Sequence, residues 1–397
     1  MRVAYVTSGL NLTFVINEIE AHQQAGWHIL PLASCRPSHT GNFSSLMAQW
    51  IERGVHRPSC LTQTGHILRE VVAHPFRFFR VCCWLAYLAI CNLSEYAKAL
   101  YELPAACYFA HRCRQFDAQH IHVHFASRSL SLGLMLGILT NLPVSCTVHA
   151  FDIFTRNLGS LRPRLAKCKF IAAVSKFNIE YLSNTCGKSV ADLCHVVHCG
   201  IDTGKFRTVS RQPQPGRMVC VARLDPKKGL DVAIEACAKL RDLKLEFLFQ
   251  IVGNGPEKTH LEELIGRLRL EDNVKLLGYR PNDKLTRLFS EACVFLMPCV
   301  RIQDGNMDGI PVAMMEAMAC QVPVVSTTIS GIPELVEDGV TGRLVHEKDA
   351  DALAEVLKEL LGDMDTIERF GRVGREHVLK EFCIYRNAAK LRELIEA

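Results

Sequence analysis

Short apolar runs alternate with stretches of helical periodicity along the whole chain, in two series. Such alternation restricts the fold to parallel sheets covered by helices on both faces. In the first series residues 2–8, 27–33, 119–125, 144–148, 170–174 and 196–199 read as strands, and 14–25 as a helix. In the second, strands are expected at 218–222, 246–252, 274–277, 294–298 and 324–326. Helices are expected there at 230–242, 257–268, 284–292, 312–320 and 350–361. Between the series, residues 208–217 (TVSRQPQPGR) carry two prolines, a glycine and no large apolar residue after Val209, which reads as a linker. The expected organisation is a first α/β domain at 1–207, a linker at 208–217 and a second at 218–379. A C-terminal helix at 380–397 would pack back on the first domain. Both domains would be doubly wound and Rossmann-like, facing across a cleft. Ligands of such sheets sit at the carboxyl ends of the strands, so the cleft is the expected site.

Composition narrows the class. At 397 residues the chain fits two domains, and 49% hydrophobic residues exclude disorder for its bulk. The 18 cysteines are scattered with no C-x-x-C pair, which favours buried reduced thiols over a disulfide framework or a zinc site. The first residues already read as a strand, with no export signal, and the longest apolar run, 81–91, is about half of a membrane span. A cytoplasmic location is expected, peripheral on the inner face of the membrane. Residues 1–200 hold 18 Lys/Arg against 10 Asp/Glu, and the remainder 28 against 31, so the net charge of +5 comes from the first half. That asymmetry suggests different partners for the two halves.

Four motifs carry chemistry. Asp308-Gly-Ile-Pro-Val-Ala-Met-Met-Glu316 is an acid, a tight turn and an apolar helix start, with a second acid eight positions on. Gly309 allows close backbone approach, and Pro311 fits a helix's first turn, whose exposed N–H groups would favour an anion. Glu316, flanked by Ala and Met, needs a partner if buried. Next, Arg223 and Lys228 stand five positions apart before Gly229 and a helix, the makings of a diphosphate cradle. Gly253-Asn-Gly255-Pro is a glycine turn between strand and helix. Finally, His149-Ala-Phe-Asp152 follows directly on a strand, so both polar side chains would face the cleft. Each has a plainer reading: a capped helix, a basic loop, an ordinary tight turn and a structural histidine.

As an ordered set these motifs resemble glycosyltransferase family 4. His149-Ala-Phe-Asp152, Cys199-Gly-Ile-Asp202, Arg223-x4-Lys228-Gly229, Gly253-x-Gly255-Pro256, Asp308-x7-Glu316 and Gly331-Ile-Pro-Glu334 carry the likeness. Thr13-Phe14-Val-Ile-Asn17-Glu18 is similar to members acting in bacterial cell-surface polysaccharide assembly. The resemblance implies the two-domain GT-B fold and a retaining transfer of a sugar from a nucleoside diphosphate to a glycan or lipid-linked acceptor, with no cofactor, no metal and no nucleic acid. It puts the diphosphate on Arg223 and Lys228 and the ribose on Glu316. The donor sugar falls near Asp308 and the backbone of Gly309, Ile310, Pro311 and Val312, with Gly253 and Gly255 also on the donor side. His149 comes beside the scissile bond, and Asp152 and His124 on the acceptor side. The family's first acidic position is usually Glu, and here it is Asp308. A nucleotide-sugar epimerase of the same fold, a catalytically silent nucleotide-binding protein and, more distantly, a pyridoxal-dependent phosphorylase remain as alternatives.

Two features fall outside that set. His120, His122 and His124 alternate on one strand and so share a face, but a metal site is not favoured because no acidic ligand lies nearby. On a helix over 74–96, Arg77, Arg80, Trp84 and Tyr87 would form one stripe, suited to an anionic membrane surface or to burial in the first domain.

Overall fold

The structure is a computed structural model that describes residues 1–10, 12–35, 45–155, 158–206, 211–280 and 282–397. The chain divides into two compact units, 1–198 with 385–397, and 199–384.

Unit 1 is built on seven parallel strands: β1 (Arg2–Thr7), β2 (His28–Ala33), β3 (Val55–His56), β4 (His120–His124), β5 (Val144–Val148), β6 (Ile171–Ala173) and β7 (Cys194–Val196). Their order in the sheet is β3-β2-β1-β4-β5-β6-β7. Sequence order reverses between β1 and β4, and that reversal is where ligands bind in open α/β sheets. One flank of the core joins Val3, Ile29 and Trp50 to Leu391 and Ile395, so the C-terminal helix Ile384–Glu396 helps to close unit 1. On the other flank the helix Leu93–Phe116 carries two buried glutamates. Glu95 sits 3.5 Å from Arg164, and Glu102 receives a hydrogen bond of 2.9 Å from Arg128. Burying a carboxylate without such a partner would cost several kcal/mol, roughly 3–5 by removal of one member of a buried pair.

Unit 2 repeats the plan with six parallel strands: β8 (Arg217–Val221), β9 (Leu248–Val252), β10 (Val274–Gly278), β11 (Val294–Leu296), β12 (Val324–Thr327) and β13 (Gly342–Val345). Their order is β10-β9-β8-β11-β12-β13, with the reversal between β8 and β11. The helices Leu230–Asp242 and Ala350–Leu361 lie where the sequence puts them, and most other elements agree to within two residues.

Three differences have physical causes. The last strand of unit 1 is Cys194–Val196, not 196–199, because Ile201 already pairs with Cys383 in unit 2. Of the expected linker, residues 208–210 lie outside the described residues. The described remainder is fastened to unit 2: Gln212 and Gln214 donate backbone hydrogen bonds to Ser290 and Glu291, and Arg217 opens β8. The expected helix over 74–96 is two helices, Pro75–Cys91 and Leu93–Phe116, broken at Asn92, whose extended backbone lets its side chain cap the second at the Glu95 N–H. The four-residue stripe is therefore split. Trp84 is buried, Arg77 is half-buried and donates to the Leu139 carbonyl at 3.3 Å, and Arg80 and Tyr87 are exposed.

Gly229 joins the β8 loop to its helix at φ 62°, and a Cβ there would lie 2.0 Å from the Pro298 carbonyl oxygen. Gly229→Ala therefore combines positive-φ strain with a backbone clash. It should destabilise unit 2 by about 2–4 kcal/mol, visible as a lower midpoint in urea with unchanged slope.

Candidate functional site

In unit 2 the site forms at the carboxyl ends of β8, β9 and β11. After β8 the chain runs through Arg223 and a single 3₁₀ turn, Pro226–Lys228, into the helix Leu230–Asp242. That turn is held from β9. A Cβ on Gly253 would lie 1.8 Å from the Ala222 carbonyl oxygen, and one on Gly255 would lie 2.1 Å from that of Leu224. Leu224 also donates to Asn254 at 3.1 Å and accepts from Glu257 at 3.2 Å. The two glycines are thus explained by packing against the Arg223 loop. They position it.

Asp308 reaches the same place from the loop after β11. Its Oδ2 accepts from Lys228 Nζ at 2.6 Å, and its Oδ1 lies 3.1 Å from Lys227 Nζ. Burial alone would push the Asp308 carboxyl up, but the two lysines outweigh it and hold it below the usual carboxylate range. Burial likewise opposes the Lys228 charge, and Asp308 reverses the effect, so Lys228 is held above the usual lysine range. The expected diphosphate cation and the expected sugar-side acid are therefore tied to each other, with Lys227, which the sequence analysis left without a role, as a third member. Arg223 is exposed, and among the described residues nothing bonds its guanidinium. Ser326 and Thr327 brace the β11 loop by donating to the Met297 and Cys299 carbonyls at 2.7 and 2.5 Å.

The helix Val312–Ala319 starts directly after Pro311, which stands as its N-cap with no side-chain cap bond, so its first N–H groups point outward. Glu316 is half-buried on this apolar helix, and burial pushes its carboxyl up to about 7. Among the described residues no side chain or backbone group hydrogen-bonds that carboxylate.

In unit 1 the expected residues divide sharply. Asp152 is fully buried, and its carboxylate accepts from three backbone N–H groups: Ala126 at 2.8 Å, Ala150 at 2.8 Å and His149 at 3.1 Å. It staples the ends of β4 and β5 together, its buried carboxylate occupied by these backbone donors. His124, also expected on the acceptor side, is fully buried. Its Nε2 lies 3.2 Å from Glu18 Oε1 and its Nδ1 lies 3.2 Å from His149 Nε2. Tyr5 donates to Glu18 at 3.0 Å. Although burial disfavours the Glu18 charge, its histidine neighbours, His124 foremost, hold that carboxyl well below the usual range. Burial, helped by His124, drives His149 down to about 3, so its imidazole is neutral. The ring of Phe125 packs 4.4 Å from that of His149, and Phe125 itself is held at φ 75°, a left-handed conformation that non-glycine residues rarely adopt.

An acidic group does lie near the histidine strand, contrary to the expectation from sequence. Glu18, His122 and His124 bring ligand atoms within 4.8 Å of one another. His122 nevertheless bonds Ser145 Oγ and Thr147 Oγ1 through its two ring nitrogens, and His124 bonds Glu18 and His149 through its own. The nitrogens are already committed to a hydrogen-bond chain. Glu18 could have been singled out, since it closes the Thr13–Glu18 motif, but only the helix Thr13–Gln24 docking beside β4 reveals its partner.

Comparison with known proteins decides the class. The model described as "Glycosyltransferase Family 4" matches residues 45–205, and "Glycosyl transferases group 1" matches residues 203–377. WcaL of Escherichia coli strain K12, named as a colanic acid biosynthesis glycosyltransferase, is 43% identical over 400 residues, covering 96% of this chain and 95% of its own. The chain belongs to glycosyltransferase family 4. The amylovoran biosynthesis glycosyltransferase AmsK of Erwinia amylovora is 42% identical over 208 residues, 51% of each chain. Among solved structures, Alr3699/HepE of Anabaena in complex with UDP-glucose superposes with a TM-score of 0.73 at 16% identity, covering 100% of this chain and 99% of that one, which shows the shared GT-B fold.

The state of Glu316 has a measurable consequence. Its folded pKa of about 7 exceeds the ordinary 4.5, so the folded chain holds the extra proton between those values and loses stability as pH rises through them. Glu316→Gln should leave stability unchanged below that window. Above pH 7 it should stabilise the ligand-free chain by about 1–2 kcal/mol, allowing for partial exposure. Thermal melts of both proteins at pH 4.5 and pH 8 check this.

Proposed function

We propose that this transferase moves a hexosyl unit from a nucleoside-diphosphate sugar to a hydroxyl of a glycan or lipid-linked glycan, with retention of anomeric configuration, in bacterial exopolysaccharide assembly. The observation that carries the donor side of this reading is Glu316. A half-buried carboxylate with no hydrogen-bond partner among the described residues, on the helix that begins just beyond Asp308, suits a pair of ribose hydroxyls. The diphosphate then lies against Arg223, Lys228 and the first N–H groups of Val312–Ala319. Lys228 has three N–H donors, so it can keep Asp308 and still hold a phosphate oxygen. Lysine and arginine serve here in place of a metal, and no cofactor is needed. The names of WcaL and AmsK support exopolysaccharide assembly, and the UDP-glucose complex of HepE supports a nucleotide-sugar donor.

For the chemistry, the bond from the sugar's anomeric carbon to the diphosphate oxygen breaks, and the electron pair leaves with the diphosphate. The acceptor oxygen bonds the same face of the oxocarbenium-like sugar, and its proton passes to the departing diphosphate oxygen. Charge grows on that oxygen, where Arg223, Lys228 and the helix start stabilise it. A covalent double displacement would need a nucleophilic carboxylate beside the sugar. In unit 1, Asp152 is spent on backbone donors and Glu18 on Tyr5 and His124, which supports same-face substitution. Neutral His149 is suited to hydrogen-bond the donor sugar, not to act as a strong base. A lipid-linked acceptor would bring the chain to the inner face of the membrane as a peripheral protein.

Titration with a panel of nucleotide sugars should stabilise the fold in proportion to the logarithm of concentration for the true donor. Glu316→Gln should weaken that donor about tenfold or more through loss of a charged acceptor. Donor binding that is equal in the two proteins would remove Glu316 from the site. The anomer formed, read by NMR, should match that of the donor. An inverted product would overturn the retaining mechanism.

His149→Ala should cut turnover about 100-fold or more while nucleoside-diphosphate affinity stays unchanged. Turnover and affinity measured together decide whether His149 serves the sugar or only the fold.

A further inference from the structure

The large apolar side chains that unit 1 exposes are concentrated in two neighbouring helices. Leu61, Leu68 and Val72 project from Cys60–Ala73, and Phe76, Phe79 and Ile90 from Pro75–Cys91, with exposures of 86% for Leu61, 85% for Phe76 and 86% for Ile90. Scattered exposed hydrophobes need no explanation, but a concentration of them does. On the second helix, Phe76, Arg80, Cys83, Tyr87 and Ile90 succeed one another at helical spacing and form a single outward stripe. This helix carries Arg77 and Arg80 and no acidic residue.

The stripe borders a cavity of about 900 Å³. Its lining includes Arg80, Trp84 and Tyr87 from this helix, Ile138, and Lys167 and Lys169, with no acidic residue among the described lining. Lys169 precedes β6, and the neighbouring Pro143 precedes β5, so the cavity lies at the amino ends of the strands. His149 stands beyond the carboxyl end of β5, on the opposite edge of the sheet. The cavity is therefore separate from the residues assigned to the reaction.

We propose that this cavity binds an anionic phospholipid of a bilayer, and that the exposed helices lie in the same leaflet. The lipid phosphate sits among Arg80, Lys167 and Lys169, and an acyl chain runs past Trp84 and Ile138. Phe76, Phe79 and Ile90 enter the boundary between headgroups and chains. A largely apolar lining whose charged members are all cationic matches the two ends of such a lipid, and each basic group near an anionic leaflet adds attraction that salt screens. No helix among the described residues is long and apolar enough to cross a membrane, so attachment of this kind would be peripheral. The inference deepens the membrane part of the function proposed above and rests on it. It does not depend on the assignments at Glu316 or His149.

The test uses the full chain with vesicles of phosphatidylglycerol in phosphatidylcholine, and with phosphatidylcholine alone. Co-sedimentation should occur with the first, fall as salt rises, and be weak with the second. Arg80→Glu combined with Lys167→Glu should reduce binding about tenfold or more, with an unchanged circular dichroism spectrum. Lipids brominated on the acyl chain should quench Trp84 emission in the wild-type chain, and Trp84→Phe should abolish that quenching, since Trp27 and Trp50 are buried elsewhere in the unit 1 core. This second readout holds even if the charge-reversed chain fails to fold. Absence of binding to anionic vesicles overturns the membrane reading as a whole. Binding that survives the charge reversal without quenching of Trp84 overturns this site alone. Equal binding to phosphatidylcholine, or displacement from the vesicles by millimolar inorganic phosphate, overturns the assignment to an anionic bilayer lipid.

Discussion

Asp308 and the two lysines that enclose it hold the candidate site of unit 2 in shape. The carboxylate comes from the loop after β11 and the ammonium groups from the loop after β8, the two strands on either side of the reversal in sheet order. Three charged groups are largely buried together there, and removing Asp308 would leave the two lysine charges uncompensated, a loss of about 3–5 kcal/mol in comparable pairs. The loops are therefore locked to each other before any ligand arrives. The chain beyond Asp308 inherits that position: Gly309 to Pro311 lead away from the ion pair, and the helix bearing Glu316 starts at a fixed point. A site organised in advance need not reorganise as charge develops on a leaving diphosphate.

Unit 1 uses the same reversal point for a different device. Glu18 and Tyr5 come from the β1 side, His124 from the end of β4 and His149 from the end of β5. Glu18, held as a carboxylate, accepts a hydrogen bond from His124 Nε2, and His124 Nδ1 lies 3.2 Å from His149 Nε2, so the carboxylate reaches the His149 ring through one intervening ring. Asp152 and Asn178 fix the same residue from its backbone, through the His149 N–H at 3.1 Å and its carbonyl at 2.7 Å. The ring and the backbone of His149 are thus both held by neighbouring residues.

Much of this was legible in the sequence, and the part that was not has a common cause. Local periodicity identified most strands of both units and most helices of unit 2, because a buried parallel strand is a short apolar run and its covering helix an amphipathic one; in unit 1 it left most helices unread, among them Arg128–Thr140 and Lys176–Cys186. It missed β3, only two residues long, and β13, which opens on Gly342 and continues with Arg343. Gly342 is needed because a Cβ there would lie 2.1 Å from the Val324 carbonyl oxygen, a constraint set by a neighbouring strand. The same limit governs the site. Spacing could place Lys228, Asp308, His149 and Asp152 near strand ends, yet could not say which would bond each other. Asp152 looked like a group for an acceptor and is a backbone staple. Lys227 carried no role in the sequence and shares the ion pair. Gly253 and Gly255 read as an ordinary glycine turn on the donor side and are fitted to the carbonyls of Ala222 and Leu224.

Glu316 shows why such a chain tolerates an unfavourable group. Burial has lifted its carboxyl to about 7, so near neutral pH the ligand-free fold carries a carboxylate that is costly to keep charged and has no donor among the described residues. A hydrogen-bond donor from the protein would relieve that cost and would also occupy the acceptor. Leaving the acceptor open would let two hydroxyls of the proposed donor stabilise the charged form on binding, and part of their affinity would then be the relief of a penalty already present. The cost falls on one residue of a helix otherwise packed with Met314, Met315, Ala317 and Met318, which are wholly buried and supply the stability to carry it. The arrangement also makes recognition dependent on pH in one direction only. As pH falls below about 7 the carboxyl takes up a proton, the relief disappears, and a hydroxyl-bearing ligand loses its advantage over water.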